Sequence, residues 1–306
     1  MKIIFISGII FGSKILTKIL DSDFQISAIF SYRDDKKHLY SDYYDFDCLA
    51  NLHGINNFKV DKINDQKNID IIKSLDPDLI LVMGWSQLLK NEIINIPKIG
   101  VIGSHPTELP KYRGRAPIPW TILKDLKKSA LTFFWIGEGV DNGDLLDQQF
   151  FEISENDDAE SLYNKIIALG EQMIINNLRL LKQNTIKKFK QDESKFLEYW
   201  PKRTPEDGKI TWSDNTTNIL KLIRASTNPY PGAFTFYKNI KIIIWKATLN
   251  NNVVMTSGKI LEINPTNMIV ATGDGSLMIE KASYDNKIID SFEKIFTNAQ
   301  NTVFGE

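Results

Sequence analysis

The first half of the chain alternates between short, almost fully apolar runs and longer amphipathic segments. Four runs rich in β-branched residues predict strands at Met1–Ser7, Gln25–Ser31, Asn57–Val60 and Asp78–Met83. Segments with helical spacing separate them, and the residue before Pro77 resists the helical conformation, so one helix should end just ahead of the fourth strand. Strands that are apolar on both faces and alternate with helices are typical of a parallel sheet. The pattern therefore predicts an α/β domain with a mostly parallel sheet.

The next stretch places a candidate chemical group at the end of a strand. Ile99–Ser104 predicts a fifth strand, and His105 follows at its carboxyl end. Ala130–Ile136 and Gln148–Ile153 predict two further strands, and Asp158–Lys182 predicts a long amphipathic helix. Ligands of open α/β sheets bind at the carboxyl ends of the strands, so His105 is well placed for chemistry.

The last third of the chain has a different pattern. The polar stretch Gln183–Ser194 predicts a hinge, and short strands with turn residues between them follow, interrupted by one helix at Thr217–Ser226. The predicted strands are Lys209–Trp212, Ala233–Tyr237, Lys241–Leu249, Gly258–Ile263, Met268–Thr272 and Ser276–Lys281. This pattern indicates a smaller antiparallel β-barrel of the OB-like kind. We therefore predict two domains, residues 1–190 and 191–306.

Composition limits the compartment and the partners. The chain has 306 residues, with 37 Lys and Arg against 38 Asp and Glu and a net charge of −1. A protein that holds a polyanion usually has a basic excess, so this balance disfavours a nucleic-acid partner. No apolar run reaches membrane-spanning length, and the N-terminal segment does not read as a secretion signal. The single cysteine, Cys48, rules out an internal disulfide, and we expect a cytoplasmic protein without membrane contact.

Two loops carry candidate chemistry. His105 precedes a loop rich in Pro, Gly and Arg, and a later loop presents two acids in Asp141–Asp144. An imidazole can accept a proton near neutral pH, and a carboxylate can orient it and stabilise its charge. Arg113 and Arg115 flank Gly114, and a guanidinium can grip a phosphate or carboxylate through two hydrogen bonds. A buried structural histidine and arginines paired inside the fold are the alternatives. No two of the three histidines have metal-ligand spacing, so we expect no metal.

Two blocks of sequence resemble one enzyme family. The first reads HPTELPKYRGRAP from His105 and is followed by DNGD from Asp141, and the second contains KRTPEDGKITW from Lys202 and PYPGAF from Pro229. Together they cover most of the chain and resemble the 10-formyltetrahydrofolate-dependent formyltransferases, with more likeness to the nucleotide-sugar N-formyltransferases than to methionyl-tRNA formyltransferase. The resemblance implies a Rossmann-like catalytic domain, the family's C-terminal module, and 10-formyltetrahydrofolate as the co-substrate.

The resemblance also assigns roles to residues. It implies that His105 takes a proton from the attacking amine and that Asp141 orients this histidine. The folate pocket is expected to include Met83, Gly84, Trp85, Ser86, Leu88 and Asp144. The acceptor substrate is expected to contact Gly8, Thr107, Lys111, Tyr112, Arg113, Gly114 and Arg115. Gly8 also has a packing interpretation, because Gly8 and Gly12 lack the spacing of a dinucleotide fingerprint.

One position departs from the family pattern. The family has an asparagine two residues before the histidine, where this chain has Gly103. The resemblance gives that amide the role of holding an oxyanion, and losing one such donor costs on the order of 10²–10³ in rate. We expect a rebuilt site around Gly103, with Ser104, Asn142, Ser86 or Gln87, or a backbone N–H, as the substitute donor. A slower enzyme and a changed reaction are the alternatives.

The acceptor amine is the remaining question. The leading hypothesis is a nucleotide-linked amino sugar, such as a 4-amino-4,6-dideoxyhexose on dTDP, UDP or GDP, used for cell-surface polysaccharides such as lipopolysaccharide O-antigen. Three features favour it. The net charge is slightly acidic, the first domain has no long Lys- and Arg-rich insertion, and the motif RGRAPIPW resembles the nucleotide-sugar enzymes more than the tRNA enzymes. Methionyl-tRNA formyltransferase is the first alternative, and a catalytically weak relative that binds folate or a sugar nucleotide is the second. We expect a homodimer.

Overall fold

The computed structural model describes residues 1–250 and 256–305, which belong to two compact units. The first unit consists of Met1–Pro117, Lys127–Ile153 and Tyr163–Pro201, and the second consists of Ile118–Leu126, Ser154–Leu162 and Lys202–Glu306. The functional bounds of 1–190 and 191–306 stay a prediction. Within the described residues, no helix is both long and apolar enough to cross a membrane.

The elements up to residue 200 follow the alternation that the sequence pattern predicts. The strands are β1 (Ile3–Ile6), β2 (Ile26–Tyr32), β3 (Asn57–Val60), β4 (Leu79–Val82), β5 (Gly100–His105), β6 (Tyr112–Gly114), β7 (Lys128–Trp135), β8 (Leu145–Glu152) and β9 (Glu198–Trp200). The helices are α1 (Ile10–Leu20), α2 (Asp47–Leu52), α3 (Gln66–Ser74), α4 (Asn91–Ile94), α5 (Pro117–Leu123) and α6 (Ala159–Lys182), with 3₁₀ helices at Asp34–Leu39 and Glu193–Lys195.

The main sheet has seven strands in the order β3-β2-β1-β4-β5-β7-β8. The pairs from β3 to β5 are parallel, and β7 and β8 extend the sheet as antiparallel strands. Every residue of β1 and β4 is buried, because helices cover both faces of a parallel sheet. The helix α3 ends at Ser74, just before the Asp76-Pro77 pair that predicted its end. The predicted mostly parallel α/β fold is confirmed.

A separate parallel pair, β6 with β9, was not predicted. Tyr112–Gly114 pairs in register with Glu198–Trp200. The close approach depends on Gly114, whose φ is +110° and where an added Cβ would lie 2.4 Å from the carbonyl oxygen of Trp200. The segment that follows α6 therefore runs along the loop after His105, within the first unit.

The second unit contains the antiparallel sheet. Its further elements are α7 (Thr216–Ser226), β10 (Ala233–Tyr237), β11 (Ile240–Asn250), β12 (Ile260–Ile263), β13 (Met268–Ala271), β14 (Ser276–Tyr284), β15 (Lys287–Ile288) and α8 (Phe292–Ile295), with a 3₁₀ helix at Pro205–Gly208. The strand order is β10-β11-β14-β13-β12, with β15 beside β14. Ile219 and Ile223 of α7 join the sheet residues in one apolar core. The predicted antiparallel β fold of this region is confirmed.

The predicted strand at Lys209–Trp212 is wrong. Lys209 makes only an isolated parallel bridge to Phe234, and Ile210 donates one main-chain hydrogen bond to the same residue. Ile210 and Trp212 are nevertheless buried, and the indole of Trp212 donates to Thr235 Oγ1 at 3.0 Å. Their alternation therefore reflects burial of two side chains in the core and not the pairing of a strand.

Candidate active site

His105 is the last residue of β5 and lies at the carboxyl end of the parallel strands. Its side chain is buried. The ring atom Nδ1 lies 3.7 Å from Oδ2 of Asp141, and Nε2 lies 3.2 Å from the main-chain oxygen of Tyr112. The structure thus brings together the imidazole and the carboxylate that the sequence places on separate loops.

The contact with Tyr112 indicates which ring nitrogen of His105 carries the hydrogen. A carbonyl oxygen can only accept, so Nε2 is the donor. Nδ1 of the neutral ring is then unprotonated and able to accept a proton. The Asp141 carboxylate lies on that side of the ring, so a positive charge formed there has a counter-charge 3.7 Å away. The pair can therefore act as a charge-stabilised proton acceptor.

The loop that carries Asp141 has a constrained backbone. Asp141 has a φ of +50°, and its Oδ2 accepts the main-chain N–H of Gly114 at 2.9 Å. An added Cβ at Gly143 would lie 1.7 Å from the carbonyl oxygen of Trp135, so only glycine fits. Asp144, a predicted folate residue, accepts the main-chain N–H of Trp135 at 2.8 Å through its carbonyl. These contacts hold the loop against the end of β7.

The two arginines that flank Gly114 have different environments. Arg113 is buried and donates to Gln191 Oε1 at 2.7 Å and to the carboxylate of Glu193. Burial lowers the pKa of Arg113, but hydrogen bonds with Glu193 and Tyr199 outweigh it and leave the pKa raised. Arg115 is exposed, and its side chain has no hydrogen bond or ion pair within the described part of the chain. Arg113 is therefore committed to the fold, and Arg115 is available to a ligand.

Three other predicted substrate residues shape the loop after His105. Thr107 is buried, and its hydroxyl donates to the Tyr112 carbonyl at 2.6 Å, beside the His105 contact. The Tyr112 ring stacks on Trp200 with 4.6 Å between ring centroids. Lys111 forms an ion pair with Glu108 at 2.8 Å. These contacts fix the carbonyl that orients the imidazole.

The predicted folate segment follows β4. Met83 is buried, and Gly84 has a φ of +72°. The Trp85 ring stacks on Tyr32 at 3.8 Å between centroids, and Ser86 Oγ lies 2.9 Å from the Tyr32 hydroxyl. Burial raises the pKa of Tyr32. The buried Nε1 of Trp85 has no hydrogen-bond partner among the described residues. The segment thus combines stacked rings with an unsatisfied N–H donor.

Leu88, at the end of this segment, differs from Met83 in its exposure to solvent. Its side chain is 62% exposed, and its main-chain oxygen accepts from Asn64 Nδ2 at 2.8 Å. Its place in the folate segment stays a prediction from the family resemblance. Asn64 also accepts the main-chain N–H of Lys90 at 2.9 Å, so its amide holds the main chain on both sides of Leu89.

Gly8 lies where β1 meets α1. An added Cβ there would lie 2.0 Å from the ring of Tyr32, and its carbonyl accepts the N–H of Tyr44 at 3.0 Å. At the start of the helix, the N–H of Phe11 is bonded to the hydroxyl of Tyr163 at 2.9 Å. The N–H groups of Ile10 and Phe11, at the helix end where dinucleotide-binding folds bind phosphate, are therefore engaged by protein groups here. This geometry favours the packing interpretation of Gly8.

Gly103 lies two residues before His105 on β5, so a side chain there would point to the same face of the strand. That space is occupied. An added Cβ would lie 3.0 Å from Cδ1 of Ile136 and 3.2 Å from Cζ of Phe134. Ser104, between the two, points to the opposite face of the strand, so the structure does not bring its hydroxyl to His105.

The other candidate oxyanion donors differ in availability. Ser86 is hydrogen-bonded to two tyrosine hydroxyls. Gln87 donates to the Asp61 carbonyl at 2.7 Å and accepts the Ile63 N–H at 3.0 Å. Asn142 is exposed, and its side chain has no hydrogen bond in the part of the chain that is described. Of these side chains, the amide of Asn142 is the one that remains free beside Asp141.

Sequence reasoning missed two residues of the site. Tyr32 ends β2 and stacks on Trp85, but a tyrosine at the end of an apolar strand carries no distinct signal. Gln191 lies in the stretch that was predicted to be a hinge, and its side chain donates to main-chain oxygens of Asp141 and Gly143. No periodicity or motif marks such a contact.

Comparison with known proteins places both regions of the chain in one family. The formyl transferase family matches residues 1–178, and the formyl transferase C-terminal domain matches residues 202–299. The chain is 33% identical over 290 residues to methionyl-tRNA formyltransferase of Alkaliphilus oremlandii, a match that covers 94% of this chain and 93% of that protein. It is 35% identical over 232 residues to the bifunctional polymyxin resistance protein ArnA of Wigglesworthia glossinidia brevipalpis, covering 76% of this chain but only 35% of ArnA.

Solved structures share the fold. HypX from Aquifex aeolicus, solved in complex with tetrahydrofolic acid, superposes with a TM-score of 0.70 at 16% identity; the match covers 98% of this chain and 48% of HypX, about half its length. WlaRD, a sugar 3N-formyl transferase solved with dTDP and 5-N-formyl-THF, gives a TM-score of 0.67 at 22% identity and covers 94% of this chain and 98% of that one. At these identities, the likeness shows the fold alone.

Proposed function

Because the chain belongs to the formyl transferase family, we propose that it transfers a formyl group from 10-formyltetrahydrofolate to the amino group of a nucleotide-linked amino sugar. A 4-amino-4,6-dideoxyhexose on dTDP, UDP or GDP, for cell-surface polysaccharide synthesis, is the example that fits the chemistry. The observation that carries the proposal is the approach of His105 Nδ1 to the Asp141 carboxylate in a formyl transferase chain.

The pair supplies what an amine acceptor needs. An amine attacks a formyl carbon only when its nitrogen has a free lone pair, so a proton must leave the nitrogen. Nδ1 of His105 accepts that proton, and the Asp141 carboxylate stabilises the imidazolium that results. The Tyr112 carbonyl keeps the ring in the orientation and tautomer that this step needs. Asn142 is the proposed substitute for the missing oxyanion amide, because its side chain is exposed beside Asp141.

The segment after β4 fits a folate. A pterin is flat and carries polar atoms on its edge, so stacked rings and an unsatisfied donor suit it. Trp85 provides both, since it stacks on Tyr32 and its buried indole N–H has no partner among the described residues. The folate supplies the activated formyl group. The residues that we propose to hold it are Met83, Gly84, Trp85, Ser86, Leu88 and Asp144.

The sugar-nucleotide acceptor is supported by charge and by the free arginine. The chain has a net charge of −1, without the basic excess that a polyanion partner usually requires. Arg115 is exposed beside the site loop and suits the diphosphate of a single small ligand. Two proteins with this fold support a sugar acceptor: WlaRD is described as a sugar 3N-formyl transferase, and an N-formyltransferase of Helicobacter canadensis was solved with folinic acid and dTDP-3-aminofucose.

Methionyl-tRNA is the second candidate acceptor. The relatives with that name include the one from Alkaliphilus oremlandii, which matches along nearly the whole chain. Sequence similarity therefore supports a tRNA acceptor at least as strongly as it supports a sugar acceptor.

The proposal also includes a homodimer and a cytoplasmic location. Sedimentation of the purified chain tests the homodimer.

One experiment separates the two acceptors. Purified full-length protein is incubated with 10-formyltetrahydrofolate and either a panel of nucleotide amino sugars or initiator methionyl-tRNA, at ~50 and ~200 mM salt. We expect formylation of at least one amino sugar, with little change between the salt concentrations. A tRNA substrate would show a steep loss of affinity with salt, because its binding releases many condensed counterions. Formylation of tRNA alone would overturn the sugar assignment, and no formylation of any amine would overturn the enzyme assignment.

A further inference from the structure

The stretch that was predicted to be a polar hinge places one glutamine inside the site. Gln191 is nearly buried, and its Nε2 donates two hydrogen bonds, to the main-chain oxygen of Asp141 at 2.8 Å and to that of Gly143 at 2.7 Å. These oxygens lie on either side of Asn142, so one amide group spans the turn that presents the Asp141 carboxylate.

The orientation of this amide is fixed from the other side. Oε1 of Gln191 accepts a hydrogen bond from the guanidinium of Arg113 at 2.7 Å. A guanidinium only donates and a carbonyl oxygen only accepts, so Oε1 must face Arg113 and Nε2 must face the loop. Arg113 is itself buried and held by Glu193. Gln191 therefore connects a fixed cation to the backbone of the acidic loop.

The contacts form a closed ring that includes Asp141, the carboxylate beside His105. Arg113 bonds to Gln191, Gln191 bonds to the backbone of Asp141, and the Asp141 carboxylate accepts the N–H of Gly114, the residue after Arg113. Asp141 also has a φ of +50°, a conformation that residues other than glycine seldom adopt and that surrounding contacts must maintain. Without the two bonds from Gln191, nothing else that is described bonds to the carbonyls of Asp141 and Gly143.

We infer that Gln191 is a positioning residue for formyl transfer, holding the Asp141 carboxylate beside His105 through the backbone of the acidic loop. The inference rests on the proposed function, because it gives Gln191 a role only through the roles of Asp141 and His105. Gln191 touches neither reacting group itself. It acts by keeping the carboxylate at the distance and direction at which it stabilises a charged imidazole.

The first test compares two substitutions at this position. Gln191→Met keeps the length of the side chain and removes all its hydrogen bonds, and Gln191→Glu keeps the acceptor for Arg113 but removes both donors. We expect each folded variant to lose on the order of 10- to 100-fold in kcat, with KM for both substrates little changed, because small misplacements of a catalytic group have effects of this size. Gln149→Met, at an exposed glutamine of β8, is the matched control and should keep the activity of the unmodified protein.

The second test separates positioning from a merely structural role. In an Asp141→Asn background, Gln191→Met should have little further effect on kcat, because the carboxylate that it positions is already gone. Its effect on thermal stability should be the same in both backgrounds. Equal losses of kcat in both backgrounds, or full activity of a folded Gln191→Met protein, would overturn the inference.

Failure of the proposed function has a different signature. If the unmodified protein formylates no amine, the function is wrong, and the inference is then judged from crystal structures of the full chain. Gln191→Met should displace the Asp141 carboxylate from the Gly114 N–H, which it accepts at 2.9 Å. An unchanged acidic loop in that variant would overturn the role of Gln191, whatever reaction the site performs.

Discussion

At the scale of single residues, Gly103 and His105 occupy the same face of β5 but have opposite surroundings. His105 meets polar partners, the Tyr112 carbonyl and the Asp141 carboxylate. The space above Gly103 is filled by the side chains of Ile136 and Phe134. An asparagine at position 103 would therefore require the side chains of Ile136 and Phe134 to shift, so restoring the amide also requires repacking.

Restoring the asparagine tests this interpretation. We expect Gly103→Asn to lower stability by ~1–3 kcal/mol through overpacking against Ile136, and not to raise kcat. Thermal unfolding and formyl-transfer kinetics measure the two effects. Gly103→Ala, which adds only the first carbon, isolates the steric part. A gain in kcat for Gly103→Asn would show that an oxyanion donor was missing and that the site has not been rebuilt.

Two residues of the same type can have different roles that the sequence does not distinguish. Arg113 and Arg115 stand on either side of Gly114, and both fit an anion site by chemistry alone. Arg113 is buried against Gln191 because β6 pairs with β9, whereas Arg115 projects outward. The assignment depends on a pairing between segments that are far apart in the chain. Composition and spacing hold no information about that pairing.

At the scale of elements, the sequence predicted the strands that are buried apolar runs and did not predict the pair of three-residue strands β6 and β9. The strands β1 and β4 are continuous apolar runs of four residues each, and β5, which also contains glycine and serine, has His105 at its carboxyl end. The strands β6 and β9 have three residues each, too few to show a period of two. The residue types of the acidic loop, Asp141–Asp144, were enough to predict it from the sequence. Gln191, which supports this loop, could not be predicted in the same way. Its side chain donates to main-chain carbonyls, and every residue has a main-chain carbonyl, so the contact leaves no mark on the sequence of the loop.

A contact between Asp42 and Tyr163, beside the first residues of α1, is sensitive to pH. Asp42 is partly buried, which raises its pKa, and the hydroxyl of Tyr163 donates to it at 2.7 Å, which lowers the pKa in part. A raised pKa in the folded state means that folded protein binds more protons than unfolded protein just above the ordinary Asp pKa. The contribution of Asp42 to the free energy of unfolding is therefore fully present below the pKa of the unfolded state, and it is lost as the pH rises through the pKa of the folded state.

Substitution of Asp42 should change the slope of stability against pH. Relative to the unmodified protein, Asp42→Asn should gain stability as the pH rises from ~4 to ~7, because the penalty for burying a carboxylate is removed. Tyr163→Phe should have the opposite effect, since the hydroxyl that lowers the pKa of Asp42 is lost. Melting temperatures across this pH range provide the measurement. Parallel curves for all three proteins would contradict the account.

At the scale of the whole molecule, the sequence was sufficient for the fold class and the family, and insufficient for the acceptor. Buried strands, helical spacing and a composition change after α6 predict a mostly parallel α/β region followed by an antiparallel β region, and both are present. The fold alone does not determine the acceptor, because a sugar 3N-formyl transferase and a methionyl-tRNA formyltransferase share it. The side chains around His105 must determine which acceptor binds, and many of them lie in loops.

All the residues of the proposed proton acceptor lie in the first unit. His105, Asp141, Tyr112 and Gln191 come from four separate segments of that unit, and they meet through the pairing of β6 with β9 and the bonds of the acidic loop. The central claim is that this assembly removes a proton from the attacking nitrogen. The catalytic rate, and not substrate binding, should depend on the imidazole.

The most direct measurement is the single-turnover rate of formyl transfer by His105→Asn, once an acceptor has been found. The account predicts a fall of ~10²–10⁴, with folate binding and the melting temperature close to those of the unmodified protein, because general-base catalysis contributes about that much. A folded His105→Asn protein that keeps more than about a tenth of the rate would contradict the account, since the imidazole would then not be the proton acceptor.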